Sequence, residues 1–538
     1  MAPLRSSVVA TTAALLASIS NVDAAAVPRN GDWHGPHGWP GWNPHWQTTT
    51  TAVSTVIVTT NVSPTTVYTT PGVPITSSKI ASPTSIASSD IPTYPSPEVP
   101  TTTSTMTSPT SESPSAWTTS PASVAPTTSS ATPPPSYSSS TTTSTAPIST
   151  PSGTTPSVIR GVNLGGWLVL EKWLNSDLFS ETDALDQYHF DQSPNALSKL
   201  QNHWDTFITE DDIRQIADIG INTLRIPIGY WAYDNSNTPY ITGADTYMEK
   251  AIGWARKYSL KVLVDLHGAP GSQNGFDSSG STDQVAWQTG DNMDKTISVL
   301  ETMAQKYGAQ EYADVVWGLE LVNEPLGWSP NNFTLSQIWS QKAYAAVKAK
   351  ATNPDLTIFM HDSFQKPEYW TDTVNEVNGN DATFDTSRFA LDTHLYQNQV
   401  ESDSELDQSQ HIAKACEWAN TDLLGRESSV PVVVGEFSAA TNICANPDGT
   451  TVAGFTCTDS GCQCASNVWI EDWEAPLIEA TRKFLEAQLD VFEHSSMGWI
   501  IWTWNGPGGW GLRSMSKYGI IGNQVTDRKY PGQCQSYF

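Results

Sequence analysis

From residue 158 onward, short apolar runs alternate with stretches in which apolar residues recur every three or four positions. The runs lie at 159–163, 223–227, 261–265, 315–322, 356–360, 389–393, 431–435 and 498–502. Several are nearly continuous in apolar residues, the pattern of a parallel strand covered on both faces. Helical periods fill the intervals. Thr209 and Asp212 make a capping-box pattern ahead of Ile213, Ile216 and Ala217, with Gly220 as the stop. Leu335, Ile338, Trp339, Ala343, Ala346 and Val347 predict the apolar stripe of another helix. Eight strands separated by helices predict an α/β fold, a (β/α)8 TIM barrel over residues 158–538.

The residues before 158 carry a different pattern. Arg5, an apolar run from Val8 to Ile19 and the small residues Ala24, Ala25 and Ala26 predict an export signal peptide over residues 1–26. That run is too short for a bilayer core of about 30 Å, and no later one is long enough, so no membrane span is expected. Trp33, Trp39, Trp42 and Trp46 stand with His34, His37 and His45 in a Gly/Pro-rich stretch without the spacing of a known metal site. This segment reads as a spacer rather than a sugar-stacking or metal-binding patch. Residues 47–157 are almost only Ser, Thr, Pro, Ala and Val, too few apolar side chains to offset the entropy of ordering. Residues 27–157 are therefore expected to form a disordered, hydroxyl-rich stalk suited to O-glycosylation, with Asn61-Val62-Ser63 as an N-glycosylation acceptor. A monomer secreted to the cell exterior or wall is the expectation.

Charge narrows the partners. The net charge is −28, and only Arg5, Arg29, Lys79, Asp23, Asp32, Asp90, Glu98 and Glu112 fall before residue 158, so almost all of it sits on the folded part. Such a surface repels phosphate backbones and anionic membranes, which excludes a nucleic acid partner. The six cysteines are Cys416, Cys444, Cys457, Cys462, Cys464 and Cys534. An even number in an exported chain favours disulfides over thiols or metal ligands. Cys416 is expected to pair with Cys534, and the other four among themselves in an order that spacing does not fix.

Catalytic groups of a (β/α)8 barrel come from the carboxyl ends of its strands. The fourth run breaks into Asn323-Glu324-Pro325, and the seventh ends in Gly435-Glu436-Phe437. A glutamate directly after a buried strand is costly without a partner or a task. Two of them suit glycoside chemistry, in which one acid protonates the leaving oxygen and the other attacks the anomeric carbon. Glu320 shares the inward parity of Glu324 but reads as a paired residue within the strand. Arg225 is a fixed cation able to keep a carboxylate ionised. His267 and His394, at the ends of the third and sixth strands, are placed to bond sugar hydroxyls or a carboxylate. Trp502, Trp504 and Trp510 cluster around the eighth strand, where some aromatic faces can stack on sugar rings and at least one belongs to the core.

These residues carry a resemblance. The run Arg160-Gly161-Val162-Asn163-Leu164-Gly165-Gly166-Trp167-Leu168-Val169-Leu170-Glu171 is similar to the opening strand of the fungal exo-β-1,3-glucanases of glycoside hydrolase family 5. The likeness continues through His203-Trp204, residues 206–210, 225–232 and 265–277, Asn323-Glu324-Pro325, His394 with Tyr396, residues 435–440 and 525–528. It covers the folded part and none of residues 1–157. The resemblance implies a retaining β-glucan hydrolase without metal or organic cofactor. Glu324 matches the acid/base and Glu436 the nucleophile. Asn323 matches the residue at the sugar 2-hydroxyl, and Arg225, His394 and Tyr396 match residues that orient the carboxylates. Glu171 and His267 match contacts to the innermost sugar, Trp510 the stacking tryptophan, and Phe276 one of two phenylalanines that clamp the entering chain. The other clamp position departs from the family, with Asn398 and Gln399 where Val-Phe is usual, and the loop 505–511 is short and Gly-rich. The leading expectation is release of glucose from non-reducing ends of β-1,3-glucan, with some transfer to other sugars. Endo action, β-1,6 preference on the same barrel, and a non-catalytic wall-binding protein are the alternatives. The pair of glutamates with Asn323 argues against the last.

Overall fold

The computed structural model describes residues 156–538 apart from 236, 381–387 and 427. The expected export signal, and the expected stalk except its last two residues, lie outside the described residues. Eleven strands occur among the described residues: β1 (Ile159–Asn163), β2 (Thr223–Gly229), β3 (Lys261–Gly268), β4 (Val316–Glu320), β5 (Thr357–His361), β6 (Phe389–His394), β7 (Val432–Glu436), β8 (Ile443–Ala445), β9 (Thr451–Ala453), β10 (Gln463–Cys464) and β11 (Gly498–Ile501). β1 to β7 and β11 close into a parallel barrel, β1 pairing with both β2 and β11. The TIM barrel expected from the alternation is thus present. β4 stops at Glu320, so that residue ends the strand instead of standing within it.

The interior changes character along the strands. Ile159, Leu263, Trp317, Phe359, Ala390, Val433 and Ile500 form an apolar cluster separate from the main core. Because successive side chains point to opposite faces, the residue two further on also points inward. In that next layer stand Asp265, His361, Asp392 and Gly435. One step up the barrel, the packing turns from hydrocarbon to charge.

Outside the barrel, the helix Glu210–Asp218 has the expected capping box between Thr209 and Asp212 and buries Ile213 and Ile216. The helix Phe333–Lys350 corrects the expected stripe, since Leu335 and Ile338 are 38% and 48% exposed. Its buried face runs through Ser336, Trp339, Ser340, Ala343, Tyr344 and Val347. Two serines replace the expected aliphatics there because each hydroxyl bonds to a carbonyl of the preceding turn, Asn332 O and Gln337 O, and so needs no water.

The long segment between β7 and the helix Ala475–Ser495 carries the antiparallel sheet β9–β8–β10, braced by Cys444–Cys464 and Cys457–Cys462. The third disulfide, Cys416–Cys534, ties the helix Gln408–Thr421 to the last residues of the chain. At the base of the barrel, Arg426 donates to Ser157 O and to Glu493 O, and the Phe538 ring stacks on His494 at 3.7 Å. No described helix is long and apolar enough to cross a membrane.

Candidate active site

Glu436 is the last residue of β7, and its predecessor has to be glycine. Gly435 N–H donates to Asp392 Oδ1 at 2.7 Å, and a Cβ on Gly435 would fall 2.0 Å from Asp392 Oδ2. Glu436 Oε1 accepts from Arg225 Nη1 at 2.9 Å, and Oε2 accepts from the Tyr396 hydroxyl at 2.8 Å. The fully buried Arg225 also donates to Glu320 Oε2 (2.8 Å), Asn323 Oδ1 (2.7 Å) and Asn163 Oδ1 (3.0 Å), and its Nη2 lies 3.2 Å from Asp265 Oδ2. Burial opposes this cation, but Asp265, Glu320, Glu436 and Asp392 outweigh it and hold its pKa well above the usual value. Burial also lifts Glu320 well above the carboxylate range.

Glu324 stands beyond β4 with a left-handed backbone, φ 46°. For a residue with a Cβ that conformation costs roughly 1–2 kcal/mol. The surroundings impose it: Asn323 N–H donates to Leu266 O, Gln273 Nε2 to Asn323 O, and Asn274 Nδ2 to Glu324 O. The side chain meets His394, whose Nδ1 lies 2.6 Å from Glu324 Oε1 and 3.5 Å from Glu436 Oε2. Those two carboxyl oxygens are therefore separated by no more than the sum of these distances. Burial works against charge on His394, yet Glu436, Asp392 and Glu324 together raise it well above the ordinary imidazole value. Burial and Glu324 push Glu436 upward, while His394 and Arg225 pull it down.

His361, at the end of β5, packs against His394 with ring centroids 4.3 Å apart. Glu324, His361 and His394 are spaced as three metal ligands would be. However, Ser363 N–H donates to His361 Nδ1, which puts the proton of the neutral ring on Nε2 and leaves no lone pair for an ion. Burial, with His394 beside it, keeps this ring neutral by depressing its pKa far below normal. The donor chemistry does not fit a metal.

Around the carboxyl pair lies a ring of groups with spare bonding capacity. Glu171 Oε2 accepts from Trp173 Nε1 at 2.9 Å, and burial, Asp277 and Glu436 raise its pKa well above normal. His267 Nδ1 is held 2.6 Å from Asp265 Oδ2. Glu171 Oε1, His267 Nε2 and Asn323 Nδ2 are buried without a partner. Leaving such atoms unpaired costs roughly 1–3 kcal/mol each, so they suit a ligand rich in hydroxyls. The Trp502 ring stacks on His267 at 5.5 Å, in space that exists because Gly165 lacks a Cβ, which would fall 2.4 Å from that ring. Trp510 packs on Tyr396 (5.4 Å) and on Trp173 (5.1 Å).

Thus Arg225, Asn323, Glu324, His394, Tyr396 and Glu436 form one bonded network, with His267 joined through Asp265, and Trp510 through Tyr396. Phe276 stands half-buried in the loop after β3, two residues beyond Asn274. Trp504 belongs to the core, where its Nε1 bonds Asp212. Sequence reasoning gave no role to Asn163, Asp265, Asp392 and Trp173, and named Trp502 as one of three candidate stacking tryptophans without choosing it. The signal for the two aspartates was available, as charged residues at inward parity within apolar strands.

Residues 188–508 match the family model described as Cellulase (glycosyl hydrolase family 5). The chain belongs to glycosyl hydrolase family 5. It is a glycoside hydrolase. It is 36% identical over 403 residues to "Probable glucan 1,3-beta-glucosidase A" of Emericella nidulans, covering 72% of this chain and 95% of that one. It is 39% identical over 408 residues to "Glucan 1,3-beta-glucosidase I/II" of Saccharomyces cerevisiae, covering 71% and 89%. Among solved structures it is similar in fold to rutinosidase from Aspergillus niger, with a TM-score of 0.53 at 21% identity over 68% of this chain and 97% of that one.

Proposed function

We propose that the protein is a secreted, retaining β-glucan hydrolase that releases glucose from non-reducing ends of β-1,3-glucan. The supporting observation is the pair Glu324 and Glu436 sharing one His394 nitrogen, ringed by the unpartnered Glu171 Oε1, His267 Nε2 and Asn323 Nδ2. In the first step Glu436 bonds to the anomeric carbon as the glycosidic C–O bond breaks, and Glu324 gives its proton to the departing oxygen. Once Glu324 carries that proton, the repulsion raising Glu436 is gone, and the donors of Arg225, Tyr396 and His394 hold Glu436 ionised. In the second step water attacks the same carbon, Glu324 takes the water's proton, and the ester bond to Glu436 breaks. A sugar hydroxyl in place of water gives transfer. Asn323 holds the 2-hydroxyl, Glu171 and His267 bond the innermost sugar, Trp502 forms its floor, and Trp510 with Trp173 forms a wall. Phe276 borders the entry. Linkage and exo action rest on the names borne by the relatives.

Asn398 and Gln399, where a clamping side chain is usual, favour endo action or a β-1,6 substrate as the second reading. The products from a linear β-1,3-glucan separate the readings. Glucose of β configuration is expected first and in excess. A mixture of oligosaccharides with little glucose moves the assignment to an endo-glucanase, and cleavage of only a β-1,6-linked chain changes the substrate and keeps the mechanism.

A further inference from the structure

One recess on the catalytic face is not used by the chemistry above. It is lined by Asn398 from the loop after β6, Ala440, Thr441 and Asn442 from the segment between β7 and β8, Ala465 and Ser466 beyond β10, and Gly509. Its free space is about that of one water molecule. No charged side chain lines it. Asn398 and Thr441 are 4% and 5% exposed, and neither Asn398 Oδ1 nor Thr441 Oγ1 has a hydrogen-bond partner. Gly509 precedes Trp510, and Asn398 follows two residues after Tyr396, so the recess adjoins the aromatic wall of the site. The fit of its walls is backbone-tight: Ala439 N–H donates to Gly509 O, and a Cβ on Gly509 would fall 2.7 Å from the Ala439 carbonyl carbon.

We infer that this recess is a socket for a free hydroxymethyl group of the bound glucan, resting on the β-1,3-glucan reading above. The donor and acceptor chemistry is complementary. A hydroxyl donates one bond and accepts others; Asn398 Oδ1 can only accept, and the Thr441 hydroxyl can donate. A secondary ring hydroxyl projects from the sugar by one atom and CH2OH by two, so the hydroxymethyl has the longer reach into a recess. Each glucosyl unit of a β-1,3-linked chain keeps its 6-hydroxymethyl free, but a unit substituted at its 6-oxygen, by a branch or by a β-1,6 link, carries a group too large for the space of one water. The socket therefore selects for an unbranched 3-linked unit at its position. It also gives the departure at residue 398 a task, since Asn398 supplies the acceptor.

The test uses the full chain carrying Glu436→Gln, so that ligands are bound and not turned over. Binding of a linear β-1,3-linked glucotetraose is compared by calorimetry with that of analogues lacking the 6-hydroxyl at single units. Loss of the hydroxyl at one particular unit is expected to weaken binding about 3- to 10-fold, the effect of one buried hydrogen bond. Adding Asn398→Ala or Thr441→Val is expected to abolish that difference while the other analogues behave as before. Equal binding of all analogues, or a difference that survives both substitutions, overturns the socket and leaves an ordinary water site. Failure of the β-1,3 reading itself is distinguishable, since it shows in the parent's product profile or as no binding of the tetraose at all.

Discussion

Glu324 and Glu436 reach one imidazole from distant points of the chain, so each can be altered without unmaking the barrel. Glu324→Gln and Glu436→Gln are each expected to lower turnover by about 10²- to 10⁴-fold or more, with the circular dichroism spectrum unchanged. Near-parent turnover on every β-glucan that the parent cleaves would remove that residue from the mechanism. Gly435→Ala is a different perturbation, since its Cβ would occupy the place of the Asp392 carboxylate. Overpacking of this kind costs about 1–3 kcal/mol, so denaturant melts and turnover should both fall. A Gly435→Ala enzyme as active and stable as the parent would mean that Asp392 moves freely. The strand-end residues were legible in the sequence because an apolar run followed by Glu or His is unusual, and Arg225 because a lone cation stands within the apolar strand β2. Asp265 and Asp392 escaped because they lie one layer below the strand ends, where only inward parity marks them. Which tryptophan faces inward, Trp502 or Trp510, depends on the turn joining them, and spacing does not determine it.

The elements were legible where periodicity is driven by aliphatic residues, as in the eight barrel strands. In the helix Phe333–Lys350, burying Ser336 and Ser340 in place of Leu335 and Ile338 turned the stripe, because a hydroxyl satisfied within its own helix packs like a methyl group. The small sheet β9–β8–β10 carries little pattern of its own and is held by two disulfides. Cys416–Cys534 acts over a longer range. It closes a sequence separation of 118 residues, for which loss of unfolded-chain entropy amounts to about 4 to 5 kcal/mol. Replacing both cysteines by serine is expected to lower the unfolding free energy by up to that amount in denaturant titration under non-reducing conditions. No change would show that the helix and terminus dock as firmly without the bond.

Over the whole molecule, buried acids set the pH response. Burial raises Asp191 and Asp362 to about 7 and Asp277 to about 6, and lifts Glu171 and Glu320 as well. A group whose folded pKa is raised contributes stability that is complete below its unfolded value and lost as pH climbs to the folded one. His203 and His411, pushed down to about 4 by burial, act oppositely, their destabilising effect growing as pH falls from about 6.5 to 4. Five carboxyls outweigh two imidazoles, and His394, raised well above normal, adds a further loss above about 6.5. The melting temperature is therefore expected to be several degrees higher at pH 5 than at pH 8, and a rise across that interval would contradict these buried protonations.

The meeting of Ser157 and Phe538 at one helix end, below the first residues of β1 and β11, bears on how the enzyme can be mounted. Ser157, which leads into β1, and Phe538 both lie at the pole opposite the catalytic face, where the strands begin. A molecule anchored to a solid support through Phe538 therefore turns its cleft toward the solution, open to an insoluble polymer that could never diffuse beneath it.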